Sequence, residues 1–509
     1  MRSITLLYVL CLAALLLPCL SACGAPKLPQ QLEKGEAFHV VVDTAKPAHP
    51  VNRRLMGFSF HNMWDFTPLY SLPEGEWMVS ESTEAAMRSL HAPFGRVLWV
   101  DPASAGGAPF GVKGGIDRAA QLCDRFGIPQ EEVVLELEAQ EQRQSLSPEA
   151  WAEAIKYSLS KGYKFRLWEV CNEPGNVWGA PESAAWTAEP YQAHVKAVYP
   201  AIKAVQPDAL VGIDYGVNPF DQWGATQTDV PMLKDLVGYY DFVAPHFYCH
   251  LQNLDTLPLE RITLGGNSWV LNSYVLGTRE VLDRYNPGRH IQILDTEWAM
   301  HGYNSGSGSA DSAARNGNIA GTLHRAVRLI YYLNNDLLEA AAQFLAIGPR
   351  GTPGFSIVAL DDDREFLSYY LNYYLRQYVG DEVLTTSGTC PYYEQKDVPS
   401  DYRYTGVVYD VSMPEAPVLA TRSADGKTVY LVAANATAEK SLPCRVELKG
   451  FRAQTAEGKR LSGDPDGAPL VDKESDVMSA LPVKLAADGG SIAFDAAPHS
   501  VSFISLTAR

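Results

Sequence analysis

The sequence lacks several signatures that would assign a function class at once. It holds no H-x-H, H-E-x-x-H or C-x-x-C pattern, so the common zinc spacings are missing and no metal is expected. No G-x-G-x-x-G follows the first strand-like run, which removes the dinucleotide fingerprint of an open doubly wound sheet. No cofactor is expected. Basic runs are missing too: 42 Lys and Arg stand against 59 Asp and Glu, for a net charge of −17. An acidic surface disfavours nucleic acid and anionic lipid as partners and leaves neutral polymers such as polysaccharides. Cysteine is scarce. Beyond Cys23 there are Cys123, Cys171, Cys249, Cys390 and Cys444. Cys390 and Cys444 are either a disulfide of an oxidising compartment or two separate buried thiols, and the sequence leaves both open.

What is present begins with a targeting segment. Arg2 supplies a positive charge, an apolar run extends over Leu6–Leu17, and Leu20-Ser21-Ala22-Cys23 follows. The run is short for a membrane span and ends in small residues, as a cleaved signal does. The tetrapeptide resembles a bacterial lipobox. That resemblance implies removal of residues 1–22, a lipid thioether on Cys23 and a membrane anchor. The expectation is an exported lipoprotein of the cell envelope, at the outer membrane or cell surface. Residues 23–36 read as a polar, Pro-containing tether.

The remaining chain is too long for one ordinary domain. Strand-like apolar runs occur at Leu55–Phe60, Arg96–Val100, Val133–Leu137, Phe165–Val170, Leu210–Ile213, Phe242–Phe247, Ile291–Leu294 and Ala341–Ile347. Amphipathic stretches such as Pro148–Leu159, Tyr191–Val205 and Ala320–Leu333 lie between them. Eight such units predict an α/β fold, a (β/α)8 TIM barrel over residues 55–380. After about Gly380 the helical period fades and short β-rich runs take over, with Asp425-Gly426 as a hairpin signal. Residues 381–509 are therefore expected to form a β-sandwich. The early strand at Phe38–Val42, within residues 37–54, is expected to join it, since a closed barrel offers no free edge.

Two apolar runs deliver a glutamate to their C-terminal end. One reads Arg166-Leu-Trp-Glu-Val-Cys-Asn-Glu-Pro174, the other Ile291-Gln-Ile-Leu-Asp-Thr-Glu-Trp298. Pro174 cannot donate a backbone hydrogen bond and so ends the first strand. C-terminal strand ends form the active face of a barrel. On strands 4 and 7, Glu173 and Glu297 would face each other across its mouth. A pair of carboxylates so placed can split a glycosidic bond, one protonating the leaving oxygen and one attacking the anomeric carbon. A separation of ~5–5.5 Å gives retention through a covalent intermediate. The acid must hold a proton at working pH, which burial and a neighbouring carboxylate favour.

Asn172-Glu173-Pro174 together with Glu297 resembles the strand-4 and strand-7 motifs of the retaining clan A glycoside hydrolases. Thr296-Glu297-Trp298 is similar to the strand-7 motif of the family-39 β-xylosidases. The tail from Gly380-Asp-Glu-Val-Leu to Pro498-His-Ser-Val-Ser-Phe resembles the sandwich of the family-51 arabinofuranosidases. The resemblance spans nearly all of the mature chain. It implies Glu173 as acid/base, Glu297 as nucleophile and Asn172 as a contact to the sugar 2-hydroxyl.

Further residues follow from the strand ends. His246 and Tyr248 share a face at the end of strand 6; the resemblance implies a hydroxyl there against the nucleophile, and His246 is either a substrate contact or a satisfied core histidine. His61 and Asn62 follow strand 1 as candidate glycone contacts. Trp64, Trp178 and Trp298 are candidate stacking platforms for sugar rings, with Trp298 preferred because it adjoins Glu297. Arg96 resembles the clan's strand-2 arginine, yet it opens its apolar run and is expected at the surface or bottom rim. Asp295 is expected on the face of Glu297, and Glu169 on that of Glu173, both in structural hydrogen bonds. Glu136 and Glu138 on strand 3 are candidates for lining the mouth.

Strand 1, Phe58-Ser-Phe-His-Asn62, carries no carboxylate where family 51 typically has one. The expected activity is thus a retaining exo-glycosidase of the β-xylosidase or α-L-arabinofuranosidase kind on poly- or oligosaccharides. A glycan-binding surface lipoprotein without catalysis, and a transglycosylase on the same barrel, are the alternatives.

Overall fold

The computed structural model describes residues 28–60, 79–98, 111–138, 145–175, 186–214, 229–303, 314–335, 337–348, 355–360, 364–399 and 408–508. Eight parallel strands close into a barrel. They are β1 (Gly57–Phe60), β2 (Gly95–Val97), β3 (Val133–Glu136), β4 (Leu167–Val170), β5 (Leu210–Ile213), β6 (Phe242–Val243), β7 (Gln292–Trp298) and β8 (Ala340–Gln343). The barrel closes where Ala342 and Gln343 of β8 pair with Gly57 and Phe58 of β1. A helix follows each strand, from Glu81–Ser89 after β1 to Leu367–Tyr378 after β8. Several start on local signals: the Ser147 side chain accepts from Ala150 N ahead of Pro148, and that of Asn318 accepts from Ala320 N.

The strand sequences explain how the barrel fills. Phe94, Val134, Leu167, Phe242, Leu294 and Ala340 form an apolar cluster at the strand beginnings. Gly212 is required there, because a Cβ would lie 1.9 Å from the Phe242 ring. Alternation by two residues then stacks a charged layer, Arg96, Glu136 and Glu169, on that plug. The active face lies above it.

The C-terminal part is an eleven-stranded, mostly antiparallel sheet folded over its own core of Val40, Leu384, Leu431, Val446, Phe494 and Ile504. The strand Phe38–Pro50 sits inside it, antiparallel to Glu382–Cys390 and parallel to Leu442–Lys449. This is the expected barrel with a C-terminal β-sandwich. From residue 28 the segment read as a tether is docked. Leu28 and Leu32 are buried, Leu28 N donates to Asn272 Oδ1 at 2.6 Å, and Glu33–Lys34 pairs with the sandwich. Cys390 and Cys444 are free thiols buried in the sandwich core.

Candidate active site

Glu173 follows β4 and Glu297 lies near the end of β7. Only 3% and 5% of their surfaces are exposed. The backbone at the end of β4 is unusual: Cys171 has φ 64° and Glu173 φ 42°. Left-handed conformations at non-glycine residues cost energy and persist where the surroundings impose them. Here the Glu173 N–H donates to Asp214 Oδ2 at 2.8 Å.

Arg96 contradicts its expected position. It is fully buried and sits under the nucleophile candidate, with Nη1 2.5 Å from Glu297 Oε1. Nε and Nη2 bind Glu169 at 2.8 and 2.6 Å, and Nη2 also donates to Asn172 Oδ1 at 2.8 Å. The expectation failed because Arg96 was read as the start of an apolar run. That run begins at Phe94, so Arg96 stands one inward-facing layer higher. Burial opposes the charge of Arg96, but Glu169 and Glu297 more than compensate and hold its pKa above the usual value.

Tyr248 Oη donates to Glu297 Oε2 at 2.8 Å. Burial, then the Glu297 carboxylate, push this phenol well above its ordinary pKa, so it remains a donor. His246 is fully buried. Its Nδ1 lies 2.7 Å from Glu173 Oε1 and 3.7 Å from Glu297 Oε2. Its Nε2 is 3.3 Å from Asp214 Oδ2, off the line of a good hydrogen bond. Burial disfavours the imidazolium, yet Asp214, Glu297 and Glu173 together push the His246 pKa up to about 10. Burial pushes Asp214 up to about 7 against the pull of His246. One oxygen each of Glu173 and Glu297 and one nitrogen of His246 lie within 4.8 Å of one another. Arg96 and His246 meet the negative charge of this cluster.

Trp298 is not in the cleft. It is fully buried, edge-on to Tyr332 and 5.5 Å beneath the Arg328 guanidinium, in the layer between barrel and helix. Asp295 also leaves the face of Glu297: Oδ2 accepts from the same Tyr332 hydroxyl and Oδ1 from Phe247 N. Pairing of β7 with β8 shifts register between Asp295 and Trp298. This irregularity lets Leu294 and Glu297 both face inward, where strict alternation would have sent Glu297 outward. Glu138 likewise turns away from the mouth, to Trp151 Nε1 and His194 on the outer helices. Glu136 stays inside and accepts from Glu138 N. Asp214, absent from the sequence reading, ends the β5 segment. Its signal was a lone carboxylate just past an apolar strand in Leu210-Val-Gly-Ile-Asp214. Cys23, His61, Asn62, Trp64 and Trp178 lie outside the described residues.

No family model matches the chain, and none of the curated proteins matches it. Solved structures do. The family-51 α-L-arabinofuranosidase of Thermotoga petrophila RKU-1 superposes with a TM-score of 0.70 at 14% identity, over 92% of this chain and 100% of its own. The Thermotoga maritima α-L-arabinofuranosidase solved with arabinose gives 0.69 at 14% identity, over 93% and 100%. CelM2, a bifunctional glucanase-xylanase from a metagenome library, gives 0.61 at 14% identity, over 93% and 99%. At that identity the likeness is one of fold: barrel and sandwich together are the architecture of these glycosidases.

Proposed function

We propose that this chain is a retaining, exo-acting glycoside hydrolase with Glu173 as acid/base and Glu297 as nucleophile. One observation carries the reading. Two buried glutamates at the ends of β4 and β7 bring carboxylate oxygens within 4.8 Å of each other, in unlike surroundings. That spacing falls on the short side of the two carboxylate separations, the side that suits direct attack by one carboxylate and retention.

Arg96 and Tyr248 hold both oxygens of Glu297 for attack on the anomeric carbon. As the Glu297–carbon bond forms, the glycosidic bond breaks and its oxygen takes the proton delivered through Glu173. Water then gives a proton back to Glu173 as its oxygen displaces Glu297 from the sugar. Asn172 is fixed by Arg96 through its carbonyl oxygen, so its amide can donate to a sugar 2-hydroxyl. The glycone is a β-xyloside or an α-L-arabinofuranoside. The fold neighbours that act on arabinofuranosides, one solved with arabinose, support that range. The lipobox-like Leu20-Ser21-Ala22-Cys23 supports an envelope lipoprotein, anchored through Cys23 and acting on carbohydrate outside the cytoplasm.

The test is hydrolysis of a panel of aryl glycosides by the chain lacking residues 1–23, with the anomer of the first product read by NMR. Turnover of a β-xyloside or α-L-arabinofuranoside with retention, lost in both Glu173→Gln and Glu297→Gln, is expected. Folded protein that turns over none of the panel, nor xylo- or arabino-oligosaccharides, would leave a glycan-binding protein. Incorporation of labelled fatty acid by the full chain but not by Cys23→Ser tests the anchor.

A further inference from the structure

Asp214 is buried, lies at the end of β5, and has no part in the two-carboxylate scheme. It touches the acid/base from two sides. Oδ2 accepts the Glu173 backbone N–H at 2.8 Å and faces His246 Nε2 at 3.3 Å, while the other nitrogen of that imidazole meets the Glu173 carboxylate at 2.7 Å. One carboxylate therefore sets both the backbone of Glu173 and the ring that contacts its side chain.

We infer that Glu173 and His246 hold one acid proton between them, and that Asp214 is the positioning residue that retains it. The inference rests on Glu173 being the acid/base of a glycosidase. The proton belongs to the pair and has two microstates, a carboxylic acid beside a neutral imidazole or a carboxylate beside an imidazolium, and the Asp214 carboxylate 3.3 Å from Nε2 favours the second. When the glycosidic bond breaks, the leaving oxygen takes this proton and the pair is left one proton short. When water attacks the glycosyl ester, its proton refills the pair. Above the value of about 7 to which burial raises it, Asp214 is charged beside the ring and makes loss of the proton to bulk solvent harder.

The charged and titratable groups around His246 fit this account. Glu173 and Glu169 approach from β4, Asp214 from β5, and Glu297 and Asp295 from β7; Tyr248 lies on the imidazole's own segment. Arg96 from β2 is engaged by Glu169 and Glu297, not by the imidazole. Removing the Asp214 charge thus takes away the anion 3.3 Å from Nε2, while Glu169, within 4.8 Å, stays paired with Arg96. The sign follows: with one negative charge fewer, the Glu173–His246 pair releases its proton at lower pH.

Asp214→Asn keeps the shape and an acceptor for Glu173 N–H while deleting the charge. Two readouts are needed. The first is titration of the His246 ring followed by 15N NMR, assigned by its loss in His246→Asn. The second is the pH profile of kcat/KM on the aryl glycoside. The wild-type ring should stay protonated well above pH 7. Asp214→Asn should lower its titration by at least one pH unit and move the alkaline limb of kcat/KM down by a similar amount, with KM changed less than twofold. A wild-type ring neutral at pH 7 overturns the inference, and this holds even where Asp214→Asn fails to fold. So does a variant whose titration and alkaline limb both stay put. If no glycoside is turned over while the ring titration still shifts, the glycosidase reading falls and the shared proton stands.

Discussion

The hydroxyl of Tyr248 donates to Glu297 Oε2 at 2.8 Å, on the side opposite the Arg96 guanidinium. A buried donor to a charged acceptor is worth about 1.5–3 kcal/mol. Tyr248→Phe removes that bond with little change of shape. We expect kcat on an aryl glycoside to fall by roughly 10- to 100-fold, by the same arithmetic. The variant should keep its melting temperature within a few degrees. Unchanged kcat would mean that Arg96 alone orients Glu297.

Arg96 ties three elements together by binding Glu169, Asn172 and Glu297 from a fully buried position. Truncating it leaves two buried carboxylates without their cation, a loss of about 3–5 kcal/mol where one partner of a buried pair is removed. Arg96→Met should lower the urea midpoint accordingly and abolish activity. Arg96→Lys should restore part of the stability and little of the activity, because an ammonium cannot bridge Glu169 and Glu297 with a planar fork. Equal stability of Arg96→Met and wild type would contradict the buried network.

Much of this architecture was legible because it depends on local pattern. Eight apolar runs alternating with amphipathic stretches give the barrel, and a glutamate at the end of the fourth and seventh gives the two facing carboxylates. What escaped the reading depends on register. Reading the run of β2 from Arg96, when its inward-facing positions begin at Phe94, turned a central arginine into a rim one. The irregularity between Asp295 and Trp298 turned Glu297 inward and left Asp295 and Trp298 on the other face. Asp214 escaped for another reason. Its role lies in a backbone N–H presented by the left-handed turn at Glu173, which no spacing in the sequence encodes.

Trp298 offers a direct check on that register. Its ring packs on Tyr332 and under Arg328, away from the cleft. Trp298→Phe should cost roughly 1–3 kcal/mol of stability, as a partial loss of buried aromatic volume does. KM for the aryl glycoside should change less than twofold. A tenfold rise in KM at unchanged stability would put the ring against the sugar instead.

The pH dependence of stability should expose the buried acids. Burial pushes Asp295 from 3.8 up to about 7, against the bond from Phe247 N and the charge of Arg328. A carboxyl whose pKa is raised on folding favours the folded state most when protonated. Its contribution is full below the unfolded value and is lost as pH rises through about 7. His246 acts with the same sign over a higher window. It is raised from 6.5 to about 10 by Asp214, Glu297 and Glu173 despite its burial, so its contribution fades between those values. The melting temperature of the wild type should therefore fall from pH 5 towards pH 9. Asp295→Asn keeps an acceptor for Phe247 N and a donor for Tyr332 Oη but cannot ionise. It should flatten the part of the decline between about pH 4 and 7 and leave the part above 7 unchanged. A melting curve for Asp295→Asn parallel to the wild type across the lower window would show that Asp295 is not the group lost there.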